Sequence, residues 1–447
     1  AGVPVVAGSD VGVRGYTLHR ELELYVKGGF TPLEAIQAAT ITPARVMKVD
    51  TEVGTIEPGK RADIIVLDAN PIDNIRNSDK VSQVMLGGRL YDAATLNERV
   101  TAGETLDEVG DDLPDHSAAL DALMSRLRDR GLDRDDLAAV GHRIVHGGDR
   151  HREPQRVAPE VVADLRALVP IDPNHLPQAI AAIEAVGRAY PAVPQVACFD
   201  TAFHSRMPRV ARLYALPRRL AEEGIIRYGF HGLSYEYVME ELRRLEPEAV
   251  AGRAVVAHLG NGASMAAVKE GVGVDTTMGF TPTGGLVMGT RCGDLDPSVP
   301  LFLLEERGMS PTEVSDLLNK QAGLLGVSGT SADMRDLLDR EPDDGHAAEA
   351  VALFCYQAKK FLGALAAALG GLDALVFTGG IGEHSATVRE RVCEGLEFLG
   401  IRLDTDRNRA HARVISSNDA AVRVCVVPTD EDLMVARHTR RLIEQEH

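Results

Sequence analysis

Two stretches decide the fold: His258-Leu-Gly-Asn-Gly-Ala-Ser264 and Thr378-Gly-Gly-Ile-Gly-Glu383. Each follows a short apolar run of strand type, at 254–257 and 374–377. A strand ending in such a loop puts backbone N–H groups where an anion can sit. Glycine permits the close approach and the positive φ this demands. One glycine turn after a strand is commonplace in α/β proteins. Two, with a third polar cluster between them, point to a nucleotide held between two lobes.

Outward from these loops, strands are expected at 140–145, 195–199 and 422–427. Helices are expected at 159–168, 176–190, 234–245, 347–368, 386–396 and 431–444. Nearer the start, helices are expected at 18–27 and 31–39, the second with a Thr31-Pro32 start of the N-cap/N1 kind. Strands are expected at 3–7, 64–67 and 81–86, with Gly87-Gly88 as a hairpin turn. The acidic stretch 98–111 reads as a linker, and 118–127 has helical spacing. Strands and helices mixed around Gly-rich crossovers indicate an α/β fold.

The 447 residues suffice for two or three domains. A net charge of −18 argues against a nucleic-acid or anionic-membrane surface. The five cysteines include no C-x-x-C pair, which excludes a disulfide framework or thiolate zinc site and fits a reducing cytoplasm. The most apolar stretch, 351–377, is broken by Lys359, Lys360, Gly370, Gly371 and Asp373, too often to span a bilayer.

Phosphoryl transfer from ATP needs loops around the phosphates, Mg²⁺, and positive groups at the transferring oxygens. Candidates sit in His142-Arg143-Ile-Val-His-Gly-Gly148, Cys198-Phe-Asp200-Thr-Ala-Phe-His204, Arg227-Tyr-Gly-Phe-His231-Gly-Leu-Ser234, Met278-Gly-Phe-Thr-Pro282 and Gly289-Thr-Arg291-Cys-Gly-Asp-Leu-Asp-Pro297. An arginine beside a glycine turn suits carboxylate or phosphate through its fixed fork and permanent charge. Taken singly, each arginine reads equally as solvated or ion-paired, and His146, His204 and His258 as satisfied structural imidazoles. His231, between a tight turn and a helix start, is placed to donate to a phosphoryl oxygen. Asp200 ends an apolar strand, where its plain role is a cap or turn residue.

Together these motifs resemble acetate kinase and its short-chain acyl kinase relatives, of the actin/Hsp70/sugar-kinase superfamily. The carriers are GHRIVHGG, FDTAFH, RYGFHGLSYEY, HLGNGAS, DTTMGFTPTGGLVMGTRCGDLDP, FTGGIGE and PTDEDLMVARHT, in family order, over residues 112–447. The resemblance implies a two-lobed α/β (RNase H-like) fold and transfer from ATP to acetate or propionate, with Mg²⁺ and a cytoplasmic homodimer. It matches Arg143 and Arg291 to substrate and phosphoryl-binding arginines, Asp200 to the catalytic aspartate, and His231 to the transition-state histidine. Val145, Phe230 and Pro282 match the pocket around the acyl methyl group. His258, Leu259, Gly260, Asn261 and Gly262 match one ATP loop, and Gly380, Ile381, Gly382, Glu383 and His384 the other. Asp333, Met334 and Arg335 match the adenosine contact, and Glu431 the magnesium ligand.

Departures are Cys292 for serine, Tyr235 for histidine, His384 for asparagine and Asp432 for glutamate. Asp172-Pro-Asn-His-Leu-Pro177 replaces a His-Asn-Pro-Pro segment, and His175 is left without the family histidine's role. The family's N-terminal Asn-x-Gly-Ser-Ser-Ser-x-Lys hairpin has no counterpart in this sequence.

Residues 1–97 resemble instead the C-terminal end of a metal-dependent amidohydrolase of the imidazolonepropionase/prolidase-like type. The carriers are AGVPVVAGSD, GGFTPLEAIQAATITPARVM, GTIEPGKRADIIVLDANP and VSQVMLGGRL. The resemblance matches Asp10 to a metal-site aspartate, but one carboxylate cannot hold a catalytic zinc, which needs about three protein ligands. His19, the single histidine of this region, reads as a helix-surface residue. The segment is therefore expected to be a non-catalytic remnant, and the chain a join of two truncated genes, natural or made in assembly. Two other readings stay open: a nucleotide-binding fragment without turnover, and a hydrolase acting through Asp10.

Overall fold

A computed structural model of the chain describes residues 17–27, 29–46, 53–56, 60, 64–86, 89–92, 137–246 and 252–445. The expected strand at 3–7, Asp10, Gly87-Gly88, the linker 98–111 and the helix 118–127 lie outside them. The chain divides into two compact units, Ala1–Pro114 and Asp115–His447.

In the first unit, α1 (Thr17–Lys27) packs with α2 (Pro32–Ala39), which is followed by α3 (Ile41–Val46). The Thr31 hydroxyl and Glu34 carboxylate form a reciprocal capping box, and Pro32 sits in the first turn, where no N–H is needed. Strands β1 (Ile64–Leu67), β2 (Val81–Leu86) and β3 (Arg89–Asp92) form an antiparallel sheet. His19 is not the surface residue expected. It is partly buried, and its Nδ1 lies 3.2 Å from Ser78 Oγ, because α1 packs on the 3₁₀ turn carrying that serine.

The described residues of the second unit form two sheets. In one, β4 (Val140–Ile144) runs parallel to β6 (Gln195–Phe199), with β5 (Gln155–Arg156) antiparallel beyond it. Ile144, Ala197 and Phe199 pack on α4 (Pro159–Leu168) and α5 (Leu176–Ala189) through Leu165, Ile180 and Ile183. On the opposite face, Val196 and Cys198 meet Leu233 of α6 (Gly232–Leu245) and Met434 and Val435 of the C-terminal helix.

The larger sheet has the order β11-β10-β7-β8-β9. Strands β7 (Arg253–Leu259), β8 (Ala263–Lys269) and β9 (Val272–Thr276) form a meander, and β10 (Ala374–Thr378) lies parallel to both β7 and β11 (Arg423–Val426). Both faces of β7 and β10 are covered, so these two strands read as continuous apolar runs. After β9 come α7 (Ser298–Glu305), α8 (Pro311–Lys320), α9 (Met334–Arg340) and α10 (Gly345–Leu369). Val255, Ala257, Leu375 and Phe377 face α10 through Phe354 and Leu362, while Val256 and Val376 face α6 through Val238 and Leu242. Among the described residues no helix is long and apolar enough to cross a membrane.

Two expectations are corrected here. The Gly379 stretch is no open loop but a short helix, α11 (Gly379–His384), followed by α12 (Ala386–Cys393). Glycine disfavours helix, but buried Arg389 donates through Nη1 to the carbonyls of Gly382 and Glu383, both at 2.8 Å, and caps the turn. Helix α12 stops at Cys393 rather than 396, before Gly395 at φ 76°. The final helix, α13 (Glu431–Glu444), has the expected limits and is capped by Asp430.

Candidate active site

The candidate residues gather beyond the C-terminal ends of the parallel strands, where open α/β sheets bind ligands. Parallel pairing puts Thr378 of β10 opposite His258 of β7, so both glycine stretches leave the sheet side by side. A Cβ built on Gly260 would lie 3.9 Å from the Gly380 amide nitrogen. One built on Gly380 meets nothing within 4 Å, leaving its backbone open to a ligand. Gly379, at φ 76°, has no such room: its Cβ would strike the Leu259 carbonyl oxygen at 2.8 Å.

Two positive or donor groups converge on the first loop. A Cβ on Gly262 would lie 2.8 Å from Arg291 Nη2 and 3.3 Å from His231 Nε2. Arg291 is anchored by Nη1 donating to the Pro282 carbonyl at 2.7 Å. Among the described residues no carboxylate pairs with it, and burial holds its pKa below the ordinary arginine value against the pull of Asp172. A desolvated guanidinium with unused donors is suited to an anion. His231 stands at the N-cap of α6 in the left-handed region, φ 57° and ψ 26°, a conformation non-glycine residues seldom hold. Its ring stacks on His258 at 4.2 Å between centroids, and its Nδ1 lies 2.8 Å from Ser264 Oγ. Burial, then the charges of His258, Arg143 and Arg291, keep it well below the usual histidine pKa.

On the other side, Arg143 of β4 reaches two carboxylates. It donates to Asp200 through Nη2 at 2.8 Å and through Nε at 3.2 Å, and its Nη1 pairs with Glu431 at the start of α13. Its side chain remains 40% exposed, so part of the guanidinium stays open to solvent or a ligand. Asp200 is buried, and its carbonyl accepts the Gly232 N–H at 2.9 Å, tying β6 to the helix that carries His231. Burial pushes the Glu431 carboxyl up to about 7, with Asp200 and Asp432 adding to the effect and Arg143 opposing it. Mg²⁺ takes one or two carboxylates plus phosphate oxygens and water, and Asp200 and Glu431 fit that donor set. Among the described residues no cluster of three or more His, Cys, Asp or Glu side chains is arranged to hold a metal.

The other candidates divide by what they can reach. Phe230 and Met334 are buried in the main core, with Val145 packed against the same cluster. The Leu259 side chain is fully buried, which leaves its backbone to the loop. Asp333 caps α9 and pairs with Arg335 at 2.8 Å. Glu383 accepts the amides of Gly379 at 2.9 Å and Thr429 at 3.1 Å, bracing the second loop against the segment before α13. The His384 side chain is exposed. Asn261 binds by its carbonyl to the Gly289 amide at 2.9 Å, linking the first loop to the Arg291 segment.

Of the single-residue readings, His146 is a satisfied structural imidazole. Its Nδ1 accepts from Gly148 N at 3.0 Å, and its Nε2 lies 3.3 Å from the Phe280 carbonyl. His204 is only half satisfied, Nε2 donating to the Phe230 carbonyl at 2.9 Å and Nδ1 unpartnered. Arg227 holds the 276–278 backbone by three carbonyl bonds. Residues the motifs did not single out include Ser264, which ends a quoted motif, and Arg389, whose capping role has no local signature.

Two glycine stretches, two arginines, a histidine in the left-handed region and a pair of carboxylates are the groups that phosphoryl transfer asks for. The profile of the Acetokinase family matches residues 71–437, and that of the Amidohydrolase family residues 1–91. An acetate kinase of Rhodopseudomonas palustris is 56% identical over 311 residues, 69% of this chain and 78% of the relative. The crystal structure of Porphyromonas gingivalis acetate kinase superposes with TM-score 0.70 at 41% identity, covering 74% of this chain and 86% of that one. A propionate kinase structure from Francisella tularensis gives TM-score 0.69 at 37% identity, covering 73% and 84%. The chain belongs to the acetokinase family and carries its two-lobed α/β fold.

Proposed function

We propose that this chain transfers the γ-phosphoryl group of ATP to acetate, giving ADP and acetyl phosphate, with propionate as a competing acceptor. The carrying observation is the convergence of Arg291 Nη2 and His231 Nε2 on Gly262, one loop away from Gly380. Arg291 and Arg143 bind and orient the acceptor carboxylate and the phosphoryl oxygens, and His231 donates from Nε2 to the oxygen that gains charge. Val145, Phe230 and Pro282 enclose the acceptor methyl, where each extra methylene discriminates by about 1–3 kcal/mol. The 258–262 and 380–384 backbones cradle the phosphates, and Asp333 and Arg335 contact the adenosine over Met334. Asp200 and Glu431 would hold Mg²⁺, which supplies charge neutralisation between the phosphates. Little covalent chemistry is asked of the protein, so positioning carries most of the rate.

The unpaired state of all five cysteines supports a cytoplasmic setting. A homodimer is supported by α7, which buries none of its residues and leaves Val299, Leu301 and Phe302 40–52% exposed. Residues 1–97 are an amidohydrolase-derived segment outside the reaction. Trapping of acetyl phosphate as the hydroxamate, with ATP, Mg²⁺ and acetate, tests the assignment. Product formation that disappears in Arg291→Ala supports it, and no product above that variant refutes it.

A further inference from the structure

Burial, then the charges of His258, Arg143 and Arg291, disfavour a second proton on His231; the one ring proton of the neutral imidazole sits on Nδ1 or on Nε2, and only the second form can donate toward the loop. The buried hydroxyls around it decide which. Ser264 Oγ on β8 contacts both His231 Nδ1, at 2.8 Å, and the Tyr235 hydroxyl. Tyr235 lies one turn into α6, its amide bonded to the His231 carbonyl at 3.0 Å, and its side chain is fully buried. A buried hydrogen-bond donor left without an acceptor costs about 1–3 kcal/mol.

Three proton arrangements are available to this chain of groups. If His231 Nδ1–H donates to Ser264 and Ser264 donates to Tyr235, the phenol proton is orphaned. If Nδ1–H and Tyr235 both donate to Ser264, the serine proton is orphaned. If Tyr235 donates to Ser264 and Ser264 donates to His231 Nδ1, both buried hydroxyl protons are placed and only the imidazole proton is left for a ligand. The imidazole proton is then on Nε2, the atom beside Gly262 and Arg291. We propose that Tyr235 and Ser264 are positioning residues that hold His231 as its Nε2–H tautomer, aimed at the site of phosphoryl transfer. The stack on His258 fixes the ring plane while the hydroxyl relay fixes the proton. The identity of the receiving oxygen rests on the phosphotransfer reading; the tautomer does not.

The test is long-range ¹H–¹⁵N spectroscopy of the ¹⁵N-histidine-labelled full chain at neutral pH, with His231 assigned by its loss in His231→Gln. The expected wild-type pattern has a protonated Nε2 and a bare Nδ1. In Tyr235→Phe and Ser264→Ala the pattern moves toward Nδ1–H or a mixture, while the His146 signals, whose ring packs on Tyr228 and Phe230, stay put and report an intact fold. In the acetyl phosphate assay both variants lose kcat on the order of tenfold, the scale seen for outer partners of a working histidine, with the KM for ATP unchanged. A wild-type Nδ1–H pattern, or an unmixed Nε2–H pattern in both variants, overturns the proposal. Should the wild-type chain make no acetyl phosphate, the phosphotransfer reading fails and the spectra still decide the tautomer.

Discussion

Replacing Gly262 by alanine tests the cradle with one methyl group. Gly262 is not among the positive-φ residues, so alanine suits its backbone. The new Cβ would stand 2.8 Å from Arg291 Nη2 and 3.3 Å from His231 Nε2. Ordinary contact begins near 3.4 Å, so the guanidinium end must retreat by about 0.6 Å, the difference from 2.8 Å. It is the tip of a flexible side chain, and the folding cost stays below about 1 kcal/mol. The catalytic cost is larger, because the methyl group takes the space where a phosphoryl oxygen meets both donors. Losing one preorganised donor costs about 10²–10³ in kcat, or roughly 2.7–4 kcal/mol. Hydroxamate trapping gives kcat, and a thermal melt gives stability. As a contrast, Gly232→Ala places its Cβ 2.1 Å from the Asp200 carbonyl oxygen, where backbone must move, and is expected to lower the melting temperature clearly. A Gly262→Ala protein with kcat within about twofold of wild type and an unchanged melt would refute the cradle.

Three further predictions concern protons, metal and assembly. His204 is fully buried with its pKa pushed down to about 4, so the unfolded chain binds its proton first as pH falls below about 6.5. Stability is therefore lost on acidification, about 2 kcal/mol between pH 6.5 and 5 from this group. His204→Asn should remove that share of the pH dependence in urea titrations, and an unchanged slope contradicts it. With Glu431 pushed up to about 7, its carboxylate forms as pH rises through that value. Apparent Mg²⁺ affinity measured by calorimetry with ATP should strengthen over pH 6–8, and Glu431→Gln should flatten the curve. Phe302→Asp on α7 should convert a dimer to monomers in light scattering without loss of fold, and an unchanged mass excludes that face.

Much of the fold was legible because local signals agreed with tertiary demand. Helix α4 has Pro159 at its first position, α2 has its Thr31–Glu34 box, and α13 follows Asp430. The strands β7 and β10 announce themselves as apolar runs because both of their faces are buried. The helical form of Gly379–His384 was not legible, since three of its backbone groups, the Gly379 amide and the Gly382 and Glu383 carbonyls, are held by the side chains of Glu383 and Arg389 acting across turns. Of the meander partners, β8 carries little strand signal because Ala263–Lys269 is rich in alanine, and β9 because Gly273 and Asp275 interrupt its short run. At the site, motifs named the residues but not their pairing. That Arg143 bridges Asp200 and Glu431, and that Ser264 joins Tyr235 to His231, depends on elements far apart in sequence.

The most direct measurement is the rate of acetyl phosphate formation by the purified full chain with ATP, Mg²⁺ and acetate, beside Arg291→Ala and with ATP binding followed by calorimetry. The account predicts turnover that falls at least a hundredfold in the variant, on the order expected for a phosphoryl-clamping group. ATP binding with no turnover above Arg291→Ala would contradict it.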